Sequence, residues 1–97
     1  MTIQRAYILT TKAERQRYQK LADLGCILCR FLGFGETKGH IHHIRRLGMK
    51  RANAPTICLC HEHHVGNTGV HGMGKKAFAA HYGVSEEDLL EQTEKLL

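Results

Sequence analysis

The sequence has no tryptophan, only six Phe and Tyr in 97 residues, and no apolar run near the ~18 residues needed to cross a membrane. So few large aromatics limit how a core can be filled, and a chain of this length supports one small domain over residues 1–97 rather than two. The N-terminal stretch MTIQRAYILTTK lacks the longer apolar segment of a signal peptide, which predicts an intracellular, cytoplasmic protein with no membrane partner. Internal repeats and low-complexity tracts are also missing. A domain with so little bulk to bury gains much from a metal staple.

Acidic residues are scarce where cysteine and histidine are plentiful. Five Lys and Arg face two Asp and Glu over residues 1–25, eight face two over 26–76, and one faces five over 77–97. The net charge of +5 therefore sits on the middle of the chain, a pattern that favours a polyanionic partner, nucleic acid first. In a reducing compartment the four cysteines are better read as metal ligands or buried thiols than as disulfides.

Local signals divide the chain into a basic N-terminal helix within residues 1–25, a core over 26–83 and an acidic terminal helix over 84–97. Thr11 and Glu14 form a capping box for a helix over 13–24, with Gly25 as its stop. Tyr18, Leu21, Ala22 and Leu24 are available to its inner face, and Arg15, Arg17 and Lys20 to its outer face. The glycines in GCILCRFLGFGETKG favour a knuckle and tight turns over a continuous element. Strands are predicted over 40–44 and 54–59, joined by the basic loop RRLGMKRAN. GNTGVHGMG reads as a second loop, KKAFAAHYG as a short helix, and Ser85 with Asp88 caps EEDLLEQTEKLL.

Cys26 and Cys29 form a C-x2-C pair, and Cys60 with His63 forms a second pair at C-x2-H spacing. Each short pair can chelate through one turn while the distant pair closes a tetrahedron, which is the pattern of structural zinc. A redox C-x2-C would open a helix in a βαβ unit, and no such unit is present. Cys58 could replace Cys60 as a ligand, although such a residue is more often a small core hydrophobe.

HIHHI places three histidines in four residues. On a strand His42 and His43 point to opposite faces, so one can bind a metal while the other faces substrate. His42, His64 and His71 would hold a divalent ion with positions left open for a phosphate oxygen and water. His43, uncoordinated, would act as general base, since imidazole titrates near neutral pH. His40 is an alternative ligand to His42, because both lie on the same strand face. His61 and His81, and His40 if it is not a ligand, read as polar surface. All eight histidines could instead serve a purely structural binuclear zinc module, which would leave the basic loop unexplained.

This constellation resembles the HNH (ββα-metal) endonucleases. More closely, His42-His43-Ile44-Arg45-Arg46, Gly48-Met49, Arg51-Ala52, Leu59-Cys60, Glu62-His63-His64 and Val70-His71-Gly72 with Lys75-Lys76 are similar to the phage recombination-enhancement, RecA-dependent nucleases. The resemblance covers roughly residues 25–83. It implies a small α+β fold, a zinc-stapled HNH ββα-metal core flanked by N- and C-terminal helices. It also implies a metal-dependent DNA endonuclease in phage recombination or DNA processing, with a RecA filament as a candidate further partner. His43 falls at the general-base position, His42 and His64 at ligand positions, and His71 at a later histidine. Asn53 lies nearest the family's central Asn. His63 stands where the family usually has a second zinc cysteine.

Lys38, Arg45, Arg46, Lys50, Arg51, Lys75 and Lys76 are candidate DNA contacts, mostly to phosphates and therefore salt-sensitive and indifferent to sequence. Besides structural Zn2+, the cofactor set includes a second divalent ion, Mg2+, Mn2+, Ni2+ or Zn2+; a histidine-rich site favours the last three, and magnesium prefers oxygen. The competing reading is a zinc-containing module that binds DNA or a recombinase without cutting.

Overall fold

The structure is a computed structural model that describes residues 11–45 and 54–97. Helix α1 (Lys12–Leu24) starts at the capping box: the Glu14 N–H donates to Thr11 Oγ1 at 3.0 Å and the Thr11 N–H to Glu14 Oε1 at 3.1 Å. It stops at Gly25, where φ is +80° and a Cβ would lie 2.7 Å from the Thr37 carbonyl oxygen. Only glycine fits there, so the chain can turn directly into the first cysteine.

The faces of α1 follow the predicted ones at Leu21, Leu24 and Lys20 and depart from them at Ala22 and Arg17. Leu21 is fully buried, but Ala22 is exposed. Arg17 is not a free surface cation: its guanidinium donates to Thr56 Oγ1 at 2.8 Å and to the Thr56 carbonyl at 2.7 Å, and pairs with Glu94 at 2.6 Å. An arginine fork can join three elements in this way because its donors are planar and divergent.

The predicted knuckle contains one short helix, α2 (Ile27–Phe31), followed by turns in which Gly33 and Gly35 have positive φ. Strands β1 (His40–His43) and β2 (Thr56–Leu59) pair antiparallel, with His42 opposite Ile57 and His43 opposite Thr56. Beyond β2 come α3 (His61–His64), α4 (Val70–Met73), α5 (Lys75–Tyr82) and α6 (Glu86–Leu96). The GNTGVHGMG segment, predicted as loop throughout, holds the helical turn α4. Helix α6 opens on the predicted Ser85 and Asp88 capping box.

All four residues of β2 are buried because helices cover the hairpin: α1 packs on both strands, α2 and α6 on β2. Leu21, Ile27, Leu28, Ile44, Ile57, Leu59, Phe78 and Leu89 fill the centre. The result is the small α+β fold predicted from the sequence. Among the described residues no helix is long and apolar enough to cross a membrane.

Candidate metal centres

Cys26 ends the turn from α1 and caps α2, its Sγ accepting from the Cys29 N–H at 3.4 Å. Cys60 occupies the N-cap position of α3 without a side-chain capping bond, and His63 lies one turn later. The four donors converge and all are buried. Cys29 Sγ lies 3.8 Å from Cys60 Sγ, and His63 Nδ1 lies 3.6, 3.5 and 3.2 Å from the sulfurs of Cys26, Cys29 and Cys60. A tetrahedron with metal–sulfur bonds of ~2.3 Å and a metal–nitrogen bond of ~2.0–2.1 Å has sulfur–sulfur edges of ~3.8 Å and sulfur–nitrogen edges of ~3.6 Å. The residues therefore fit a structural zinc. Burial pushes the Cys26 thiol up to about 12, so the anionic ligand calls for a compensating cation. Cys58 is fully buried and lies outside the cluster, as a core thiol whose pKa burial raises to about 11.

A second group forms where β1, α3 and α4 meet. His42, His64 and His71 each bring a ring nitrogen within 4.8 Å of the others. The ring of His42 lies 5.1 Å from those of both His64 and His71, and these two are 4.8 Å apart. Burial first, then the neighbouring imidazoles, lowers His64 to about 4, so its lone pair is available at neutral pH. The three rings face an open cleft of about 260 Å³, lined also by Ile41, His43 and Arg45. A closed four-donor site suits a structural ion, whereas three donors beside a cleft leave room for substrate.

The turn between His64 and His71 is tightly built. Glu62 accepts from the Thr68 N–H at 3.0 Å and the Thr68 hydroxyl at 2.6 Å, while Tyr82 donates to the Thr68 carbonyl at 2.8 Å. A Cβ on Gly72 would lie 2.1 Å from the Gly66 carbonyl oxygen, so the turn closes only around a residue without one. His71 is thereby brought back beside His64.

His43 faces the other way along β1, as strand alternation requires. Its Nε2 is 3.5 Å from the Tyr18 hydroxyl on α1, and it lines both the three-histidine cleft and a smaller cavity of about 120 Å³ with Glu14, Arg17 and Thr56. His40 is exposed, with its Nδ1 3.3 Å from His64 Nδ1, adjacent to the three-histidine group but not within it. His61 and His81 are exposed.

One residue of this region was not legible in the sequence. Glu86, the first residue of α6, is only 6% exposed, and its carboxylate meets Nε2 of His42, itself 3% exposed. Burial alone would raise the Glu86 carboxyl, but the His42 hydrogen bond and charge, with Lys75 beyond, hold it below the usual range. In sequence Glu86 is one of three acids opening a helix, 44 positions from its partner, and no local spacing announces the contact. Lys75, read as a DNA contact, lies 3.6 Å from Glu86 and also donates to the Arg45 carbonyl. Lys38, Arg45 and Lys76 are exposed. Arg46, Lys50, Arg51 and Asn53, with most of the basic loop, lie outside the described residues.

Comparison with protein families matches residues 10–97 to recombination enhancement, RecA-dependent nuclease. The chain belongs to that family. Its description makes the RecA-dependent nuclease family one of enzymes that cleave nucleic acid during recombination enhancement. Comparisons with curated proteins and with solved structures gave no match.

Proposed function

We propose that this member of the RecA-dependent nuclease family is an HNH-type endonuclease that hydrolyses DNA phosphodiester bonds with a divalent metal. The observation that carries the reading is the pairing of a closed Cys26, Cys29, Cys60 and His63 cluster with an open His42, His64 and His71 cluster beside a cleft. The first would hold structural zinc. His42, His64 and His71 would hold a divalent ion in the second, and that ion would supply Lewis acidity toward a phosphoryl oxygen and the leaving alkoxide.

The chain's own residues carry the rest. His43 removes a proton from the attacking water, and the Tyr18 hydroxyl at its Nε2 helps to hold the ring. Arg45, on the cleft wall, contacts a phosphate, as do Lys38 and Lys76 and, from the basic loop, Arg46, Lys50 and Arg51. Asn53 takes the place of the family's central Asn. His40 remains a reserve ligand beside His64. A RecA filament would act by presenting the DNA.

The test is cleavage of single-stranded, duplex and recombinase-coated DNA across several divalent metals, with His43→Ala alongside. The wild type is expected to cut only with added metal, and His43→Ala to lose on the order of 10²–10⁴-fold in rate while retaining its fold and DNA affinity. Undiminished cleavage by His43→Ala would remove the assigned base. Binding without cleavage under every condition would favour a non-catalytic zinc module.

A further inference from the structure

We propose that Glu86 is a positioning residue for the open site: its carboxylate accepts from Nε2–H of His42 and so fixes the tautomer whose Nδ1 lone pair is offered to the ion. The inference rests on the proposed role of His42, His64 and His71 as ligands, and deepens it by assigning how one of them is prepared.

To ligate an ion His42 must be a neutral imidazole, which carries one proton, and whichever nitrogen holds that proton cannot bind the metal. Glu86 contacts Nε2 of His42, and both side chains are almost wholly buried, so water does not compete for that nitrogen. A carboxylate there can only accept, which puts the proton on Nε2 and frees Nδ1. The same carboxylate is anchored on its other oxygen, where Lys75 Nζ lies 3.6 Å away, and its helix is fixed by the Ser85 and Asp88 capping box. Glu86 therefore has few ways to turn away. Metal-bound histidines commonly rely on such a partner for ring orientation and basicity.

The geometry also links the last helix to the site. Helix α6 packs on β2 and buries Leu89 in the core, while Glu86 at its first turn reaches across to β1. The acidic C-terminal segment is then part of the metal centre's support.

The experiment is titration of the zinc-loaded chain with Co2+, following the visible absorption of the second site, in wild type, Glu86→Gln and Lys75→Met. Glu86→Gln is expected to weaken Co2+ binding roughly 10–100-fold, leaving the zinc content and helicity unchanged, with a smaller effect from Lys75→Met. Long-range nitrogen–proton NMR of wild type with Zn2+ in both sites should find the His42 proton on Nε2. Either Co2+ affinity unchanged in Glu86→Gln or a His42 proton on Nδ1 overturns the proposal. If wild type binds no second ion, the ligand assignment itself fails; if it does and Glu86→Gln matches it, only the role of Glu86 is lost. The NMR measurement needs no variant and stands even if Glu86→Gln does not fold.

Discussion

Adjacent histidines on β1 have opposite surroundings. His42 is enclosed by His64, His71 and Glu86, and His43 turns toward Tyr18, a division that follows from strand alternation and was visible as soon as HIHHI was read as a strand. The convergence of Cys26, Cys29, Cys60 and His63 was equally legible, because short chelating pairs leave a spacing in the sequence. Arg17 and Glu86 were not. Their partners, Thr56 and Glu94 for one and His42 and Lys75 for the other, come from elements brought close only by the fold. Arg17→Ala is expected to destabilise the protein by about 2 kcal/mol, since it removes two charge-assisted hydrogen bonds to a buried threonine. Denaturant unfolding of the zinc-loaded protein measures this, and a change below about 0.5 kcal/mol would mean that Arg17 is an ordinary surface cation.

At the level of elements, capping signals gave the starts of α1 and α6 directly, whereas the turn before α4 defeated local reading. Its glycines suggest a loop, yet close backbone contacts fold it into a helical turn that returns His71 to His64. Gly72→Ala should therefore displace His71 and reduce cleavage on the order of 100-fold, with the structural zinc retained. Steady-state cleavage with metal analysis checks this, and wild-type rates in that variant would show that the turn has room to adjust. The α1 capping box carries a pH dependence. The Thr11 N–H and hydroxyl hold the Glu14 carboxyl below its ordinary value of 4.5. A carboxyl depressed on folding contributes stability above its unfolded pKa and loses it as the pH falls through the lower folded value. The difference in Tm between wild type and Glu14→Gln should be full at neutral pH and close as the pH drops below about 4.5. A difference that persists unchanged in acid would assign the effect to the side chain's shape.

For the molecule as a whole, the sequence foretold a domain short of bulky core residues and compensated by metal. The structure bears out the small α+β architecture: Phe78 is the one fully buried aromatic among the described residues, and a closed cluster that could hold zinc lies between α2 and the end of β2. Phe78→Ala is expected to cost about 3–5 kcal/mol, enough to unfold much of a domain this small. Stripping the closed site with a strong chelator should abolish the thermal transition altogether. On the proposed reading two clusters divide the work, one holding the frame and the other supporting the chemistry. Metal content per chain, measured together with DNA cleavage and helicity before and after mild chelation, tests this most directly. Two bound ions are expected, one of them removed by mild chelation with loss of cleavage and no loss of helicity, and cleavage returning when a divalent metal is added back. One ion per chain in a fully active protein, or cleavage that survives removal of the exchangeable ion, would contradict it.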